Sequence, residues 1–239
     1  LVQALSRREL KYIISLEEKE YLLACCAKHC RLDEYGGVKG SYPVLSQYYD
    51  SPNLLFYREK LAGICSRRKL RIRCYSPSLS KSPLFMEIKE RSMDRVWKIR
   101  REITPDSFSP QGIQDFDELE ALAQSPLPSP LLPSGGVFFQ RKAFESTNPR
   151  SGRVRVTFDS CLLGLYPCER LSNEHFHSPA RWLIAPGKTI LELKLRDELP
   201  SWFLQAVLDL GLERISISKY CLAVDKLSWK LTRQGECRA

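Results

Sequence analysis

Charged and apolar residues alternate along four short segments of the chain, and this alternation is the strongest constraint on its fold. The longest segment is residues 69–75, in which lysine or arginine occupies positions 69, 71 and 73. Similar segments occupy residues 98–100, 153–156 and 192–196. Because successive side chains of a β-strand point to opposite faces, each segment predicts a strand with one charged and one apolar face. Several such strands side by side would form a cationic wall, which favours an anionic partner.

The composition is that of a globular domain, and its basic character favours an anionic partner or a surface charge that serves solubility. The 239 residues can bury a full hydrophobic core, so residues 1–239 are predicted to form a single domain. The net charge of +9 agrees with the cationic wall. No apolar run approaches the roughly 20 residues that span a bilayer, and no signal peptide is evident at the start. Nine scattered cysteines without a C-x-x-C pair indicate reduced thiols, so a cytoplasmic location is expected.

The residue patterns predict many strands and a few helices. Ser15 and Glu18 form a capping-box pattern, which predicts a helix that runs to about residue 29. Further helices are predicted near residues 54–57 and over residues 115–124 and 200–210. A series of prolines from Pro126 to Pro133, followed by two glycines, predicts an irregular loop. Strands are predicted over residues 9–14, 44–50, 69–75, 84–89, 96–103, 137–144, 153–159, 190–196 and 215–222.

Two architectures fit this set of strands. One is an open antiparallel sheet with a solvated charged face. The other is a closed barrel with the charges inside and amphipathic helices outside. The charged faces are rich in arginine and poor in the serine, threonine and glutamine that usually fill a solvated face. The fold class predicted is therefore α+β, an antiparallel β-barrel of about eight strands flanked by a few helices.

A barrel lined with cations constrains its ligand. Buried cations that converge require an anion with many oxygens and a few carboxylates. A linear phosphate chain would fit inside, whereas a nucleic acid duplex could not enter. Nucleic acid could still bind an outer surface, but the sequence has no interleaved aromatic stacking motif and no helix-turn-helix or zinc-finger signature, so nucleic acid is not a predicted partner. Glu9, Glu87 and Glu192 could hold a divalent metal ion that bridges phosphate oxygens. The sequence contains no Walker A motif and no arrangement typical of serine or cysteine nucleophiles.

An ordered set of motifs over about residues 9–227 resembles one known family. The chain resembles the polyphosphate polymerase domain of the vacuolar transporter chaperone complex, which belongs to the triphosphate tunnel metalloenzyme (CYTH-like) superfamily. The motifs are Glu9-Leu10-Lys11-Tyr12, Tyr48-Tyr49-Asp50-Ser51-Pro52-Asn53, Phe56-Tyr57-Arg58, Leu70-Arg71-Ile72-Arg73-Cys74-Tyr75, Glu87-Ile88-Lys89, Lys98-Ile99-Arg100, Arg141-Lys142-Ala143-Phe144, Arg153-Val154-Arg155-Val156, Leu191-Glu192-Leu193-Lys194-Leu195 and Ser218-Lys219-Tyr220.

The resemblance implies a tunnel that transfers the γ-phosphoryl group of ATP to a growing polyphosphate chain, with Mn²⁺ or Mg²⁺. It implies that ten cations contact phosphates: Lys11, Arg71, Arg73, Lys89, Lys98, Arg100, Arg141, Arg155, Lys194 and Lys219. Glu192 would be the principal metal ligand, with Glu9 and Glu87 as further candidates. Partners would be ATP and polyphosphate, and any regulatory or membrane partner is unidentified.

Two departures from the family pattern keep other functions open. Hydrolytic members of the superfamily carry Glu-x-Glu-x-Lys on the first strand, whereas this chain has Arg7-x-Glu9-x-Lys11. The missing first carboxylate favours the polymerase branch. Polymerase members also carry a lysine where this chain has Ser216, which leaves the binding of the acceptor chain in question. The alternatives are a hydrolase of triphosphate or short polyphosphate, and a non-catalytic module that binds polyphosphate or inositol phosphates.

Overall fold

Antiparallel strands form most of the regular secondary structure. The computed structural model describes residues 3–4, 8–37, 40–77, 83–92, 95–103, 108–109, 112–113, 123, 126–146, 154–195 and 198–227. Its strands are β1 (Gln3–Ala4), β2 (Arg8–Ile14), β3 (Cys30–Leu32), β4 (Tyr42–Asp50), β5 (Arg67–Cys74), β6 (Leu84–Ser92), β7 (Arg95–Ile103), β8 (Phe108–Ser109), β9 (Gly112–Ile113), β10 (Leu132–Ser146), β11 (Arg155–Leu165) and β12 (Thr189–Leu195). Its helices are α1 (Leu16–His29), α2 (Leu55–Leu61), α3 (Glu174–His177), α4 (Ser201–Asp209) and α5 (Lys219–Leu227).

One large sheet is strongly curved. Its strands follow the order β1-β7-β6-β5-β4-β10-β11-β12-β2, and β3 pairs with the far end of β10. Among the described residues, the hydrogen-bonded ladder does not close, since β1 and β2 are the two ends of this order. The charged faces nevertheless meet, because Lys89 of β6 lies 2.8 Å from Glu9 of β2. The predicted antiparallel α+β class is confirmed, with the correction that the ladder is open.

Helices cover the apolar outer face of the sheet. Leu22 of α1 and Phe203 of α4 are fully buried in one cluster with Leu191 and Leu193 of β12. Burial of each such side chain contributes roughly 1.5–3 kcal/mol. The capping box predicted for α1 is confirmed, because the Glu18 amide donates to the Ser15 hydroxyl at 3.2 Å. No helix in the described part of the chain has the length and apolar character needed to cross a membrane.

The prediction of a last strand over residues 215–222 is wrong. Residues 212–218 have no regular secondary structure, and a helix begins at Lys219. The alternation of isoleucine and serine is typical of a strand, but Ser218 accepts a hydrogen bond from the Cys221 amide at 3.3 Å and so caps the helix. The Ile215 amide donates to the Lys11 carbonyl at 2.8 Å, which attaches the segment to the free edge of β2.

The proline-rich segment is only partly irregular. Strand β10 begins at Leu132 and includes Pro133, so the predicted loop ends earlier than expected. Proline has no amide hydrogen to donate to the ladder, and a register shift between Pro133 and Gly135 accommodates this loss. Gly136 permits a close approach of β11, since a Cβ atom there would lie 2.9 Å from Cβ of Leu165.

The helix predicted over residues 115–124 lies, apart from residue 123, outside the described residues. The single-domain prediction for residues 1–239 stays a prediction.

Asp50 joins α2 and α5 to the sheet. Its buried carboxylate accepts hydrogen bonds from the amides of Phe56 and Tyr57 at 2.9 and 3.0 Å. It also accepts from the Tyr220 hydroxyl at 2.6 Å. Through these hydrogen bonds Asp50 fixes the positions of both helices. Each helix carries residues of the candidate functional site.

We expect Asp50→Ala to lower the free energy of unfolding by about 3 kcal/mol, because several buried donors lose a charged acceptor. Tyr220→Phe removes only one of these bonds and should cost about 1 kcal/mol. Urea unfolding of the two variants measures both values. Equal losses in the two variants would contradict the role of Asp50 as a joint acceptor.

Candidate functional site

Strand register places the predicted charges on one face. Arg71 lies opposite Glu87, which in turn lies opposite Arg100. On other strands of the same sheet, Lys11 lies opposite Glu192, and Arg141 lies opposite Asp159. The same alternation places Lys194 of β12 between Arg155 of β11 and Glu9 of β2. The concave side of the curved sheet is therefore a charged lumen.

A cavity of about 780 Å³ occupies this lumen. Nine of the thirteen predicted site residues line it: Glu9, Arg71, Arg73, Lys89, Lys98, Arg100, Arg141, Arg155 and Lys194. The other four are Lys11, Glu87, Glu192 and Lys219, which contact the lining residues or one another. The open-sheet alternative required the charges to face bulk solvent, and this placement argues against it.

Glu87 is the centre of the first charge cluster. One of its oxygens accepts from Nε and Nη2 of Arg71 at 2.9 and 2.6 Å. The other lies 2.8 Å from Nζ of Lys98, and guanidinium nitrogens of Arg73 and Arg100 lie 3.9 Å from the carboxylate. Burial alone would raise the pKa of Glu87, but these cations hold it well below its usual value. Glu87 is therefore ionised and balances part of their charge.

Glu192 and Asp159 form the second cluster. Nζ of Lys219, at the start of α5, lies 3.0 Å from Glu192 and 2.7 Å from Asp159. Lys11 and Lys194 each lie 3.4 Å from Glu192. Arg141 binds Asp159 through two hydrogen bonds of 2.7 Å. Burial opposes ionisation of both carboxylates, yet the surrounding cations lower the pKa of each.

Two further sets of ion pairs complete the lumen. Lys89 and Glu9 are paired at 2.8 Å. Burial alone would raise the pKa of Glu9, but the neighbouring lysines lower it to about 2. Arg155 binds the carboxylates of Asp33 and Glu145, the latter at 2.9 Å. Each of the ten predicted cations therefore lies within 4.0 Å of at least one carboxylate.

The carboxylates differ in their fit to a divalent metal ion. No group of three or more histidine, cysteine, aspartate or glutamate side chains within the described ranges is arranged to hold a metal. A metal ion would have to displace four cations at 2.6 to 3.9 Å from Glu87, and three lysines at 3.0 to 3.4 Å from Glu192. Glu9 and Glu192 lie diagonally across the β2–β12 pair on the luminal face. They could supply the one or two carboxylates that hold Mg²⁺ when substrate phosphates provide further oxygens.

The sequence reasoning missed a group of lysines without carboxylate partners. Nζ of Lys69 lies 2.8 Å from the Ser218 hydroxyl, and Nζ of Lys60 lies 2.9 Å from that of Ser216. Within the described part of the chain, neither ammonium has a carboxylate within 4.0 Å. Nζ of Lys11 also reaches this segment, at 3.2 Å from the Ile217 carbonyl. The alternation of residues 69–75 already included Lys69, whereas nothing in the sequence brings helix α2 to Ser216.

The pKa of Lys69 is strongly perturbed. Burial above all, together with the nearby Lys11, Lys89 and Lys60 and against the opposing effect of Cys221, lowers the pKa of its ammonium to about 7. Burial likewise lowers the pKa of Lys60. A group that titrates near neutrality without a counter-charge would be stabilised in its charged form by an anion.

We expect Glu87→Gln to lower the free energy of unfolding by about 3 kcal/mol, because four cations lose their shared counter-charge. Inorganic tripolyphosphate should then raise the melting temperature of this variant more than that of the parent protein. Glu90→Gln on the same strand, on the opposite face, serves as the matched control. Equal stabilisation of parent and variant by tripolyphosphate would contradict the assignment of Glu87 as the counter-charge of the cavity.

Comparison with known proteins agrees with this geometry. A putative adenylate cyclase from Bacillus halodurans has a similar structure, with a TM-score of 0.51, 12% identity and coverage of 91% of this chain and 95% of the other. A putative adenylyl cyclase from Hippeastrum, described as having a dominant triphosphatase activity, gives a TM-score of 0.51, 12% identity and coverage of 91% and 96%. At this identity the likeness shows the fold alone, which is that of the triphosphate tunnel proteins.

A comparison of the sequence with family models identifies the family. No curated protein matches the chain. The family model of the VTC domain, however, matches residues 6–228, which include all thirteen predicted site residues. The chain therefore belongs to the VTC domain family.

Proposed function

We propose that this chain binds a linear phosphate chain in the lumen and transfers the γ-phosphoryl group of ATP to its end. Family and fold support a function related to polyphosphate or triphosphate. The observation that carries the finer proposal is the charge of the cavity, where nine arginines and lysines face four carboxylates. An excess of five positive charges in a concave site suits a compact polyanion better than a neutral ligand.

The internal ion pairs can be exchanged for phosphate contacts. Arg71, Arg141 and Arg155 now direct their donors to luminal carboxylates, at distances of 2.6 to 2.9 Å for the first two. A phosphate oxygen can accept from the same planar guanidinium groups in a bidentate arrangement. Such donors would stabilise charge on the equatorial oxygens of the transferred group. Phosphoryl transfer depends mainly on this positioning and charge stabilisation.

Transfer to a phosphate acceptor requires no side-chain base. The terminal oxygen of a polyphosphate chain is already anionic, whereas water must lose a proton to attack. The luminal carboxylates Glu9, Glu87 and Glu192 are each engaged by cations, so none is available to accept that proton without rearrangement. Among the candidate reactions, this favours transfer over hydrolysis.

A divalent metal ion, Mn²⁺ or Mg²⁺, would bind at Glu192 and Glu9. Held by these two carboxylates, the ion would supply Lewis-acid stabilisation of the negative charge that develops on the transferred phosphoryl group. Lys11, Lys194 and Lys219 would then release Glu192 and turn to phosphate oxygens. In this arrangement the same residues hold the carboxylate in the free protein and the substrate in the complex.

A hydrolase of triphosphate or short polyphosphate is the second candidate. The triphosphatase activity described for the Hippeastrum protein favours it, since that protein has the same fold. The two functions differ in product: a polymerase lengthens a chain, whereas a hydrolase releases orthophosphate from tripolyphosphate. A chain that binds polyphosphate without either product would be a binding module.

We expect long polyphosphate to appear on a stained gel after incubation with ATP and Mn²⁺ or Mg²⁺. Lys98→Ala should reduce this activity about 10- to 100-fold, since one charge-assisted contact is lost. Lys98 is 46% exposed, and Glu87 keeps its other cations, so the variant should fold normally. Lys142→Ala is the matched control and should retain activity, because Lys142 lies on the face of β10 opposite to that of the luminal Arg141. Orthophosphate release from tripolyphosphate without chain growth would select the hydrolase instead.

We expect affinity for polyphosphate to fall as the pH rises from about 6 to about 8, because Lys69 loses its proton near pH 7. Lys69→Arg keeps its charge across this range and should flatten the fall, while the titration of phosphate itself remains in both proteins. Binding titrations at the two pH values measure the difference. An identical fall in the variant and the parent would exclude Lys69 from the phosphate path.

The proposed setting follows from the same residues. A cytoplasmic location is proposed because the eight described cysteines, from Cys25 to Cys221, are free thiols, as in reducing compartments. ATP and polyphosphate are the proposed small-molecule partners, and no nucleic acid partner is proposed.

A further inference from the structure

The mouth of the cavity differs in character from its interior. The segment of residues 31–35 lines the cavity beside the luminal cations. Two of its side chains are apolar and open to solvent: Leu32 is 45% exposed and Tyr35 is 71% exposed. Of the large exposed hydrophobic side chains in the described ranges, only these two line the cavity. A cationic interior therefore continues into a rim on which Leu32 and Tyr35 form an apolar, aromatic part beside the exposed charged residues Arg31 and Glu34.

One buried carboxylate fixes this rim relative to the phosphate-binding residues. Asp33 accepts a hydrogen bond from the Tyr35 amide at 2.9 Å and so caps the short 3₁₀ turn Glu34–Gly36. The same carboxylate binds the guanidinium group of Arg155. The Asp33 amide donates to the Ala143 carbonyl at 2.9 Å, which ties the segment to β10. The backbone of Tyr35 is therefore held two hydrogen bonds away from a luminal arginine.

The size of the cavity allows a ligand larger than three phosphates. Its volume of about 780 Å³ lies within the range of about 300–1,000 Å³ that whole small-molecule ligands occupy. Inorganic triphosphate would use only the cationic part, because its oxygens make no favourable contact with an exposed apolar rim. A ligand with a polyanionic end and a flat aromatic end would match both parts. A nucleoside triphosphate has this composition.

We propose that Tyr35 and Leu32 form a stacking surface for the nucleobase of a nucleoside triphosphate whose phosphates lie on the luminal cations. This rests on the proposed function of the same cavity. Stacking of a base on an aromatic side chain depends little on the identity of the base, because every base has a flat π-face. The surface would therefore distinguish nucleotides from inorganic tripolyphosphate rather than one nucleotide from another.

The test compares two probes on the full chain by isothermal titration calorimetry: adenosine 5′-(β,γ-imido)triphosphate and inorganic tripolyphosphate. Tyr35→Ala should weaken the nucleotide about 5- to 100-fold and leave tripolyphosphate unchanged. Tyr35→Phe keeps the ring and should retain both affinities. Tyr21→Ala is the control, since Tyr21 is 42% exposed but lies on α1 away from the cavity lining.

The outcomes separate this inference from the function on which it rests. Equal weakening of both probes in Tyr35→Ala, or no change in either, would overturn the stacking surface while tripolyphosphate binding by the parent protein still supports the lumen. A parent protein that binds neither probe would overturn both. Weakening of the nucleotide by Tyr35→Phe as strongly as by Tyr35→Ala would also contradict stacking, because the ring is preserved.

Discussion

Compensation of buried charge in the lumen is the constraint on which the rest of the structure depends. Cations on neighbouring strands of one concave face repel one another, and burial increases the cost of each charge. The chain meets this cost with carboxylates placed in register, such as Glu87 opposite Arg71 and Asp159 opposite Arg141. The consequence is a cationic surface that is preformed and stable without a ligand.

Such a surface has a built-in preference for polyanions. A ligand must replace several internal ion pairs at once, since the clusters around Glu87 and Glu192 share their cations with the cavity lining. A single small anion would gain one or two contacts, whereas a chain of phosphates could replace many. The ammoniums of Lys60 and Lys69, which bind serine hydroxyls, extend the cationic path beyond the cavity. The fold therefore suits a linear phosphate chain. The apolar part of the rim at Tyr35 is where a nucleotide would make a contact that an inorganic phosphate chain cannot make.

The alternation of charged and apolar residues is enough to predict the luminal face. Strand register follows from which side chains must be buried, so this pattern alone places Arg71, Arg155 and Lys194 on the charged side of their strands. Contacts between distant elements cannot be predicted in this way. The approach of Lys60 to Ser216 depends on how α2 packs against α5, and the attachment of the Tyr35 backbone to Arg155 depends on one aspartate in a turn. Residues 215–218 resemble a strand because the alternating pattern conceals the capping role of Ser218.

The most direct test of this account is a crystal structure of the chain with inorganic tripolyphosphate and Mn²⁺. We expect the phosphates inside the cavity, with their oxygens within hydrogen-bond distance of Arg71, Lys98 and Arg141, and the metal beside Glu192. We also expect Glu87 and Asp159 to retain fewer of their present ion pairs. Phosphates bound on the outer, helix-covered face, or a lumen that keeps all its internal ion pairs while the ligand binds elsewhere, would contradict it.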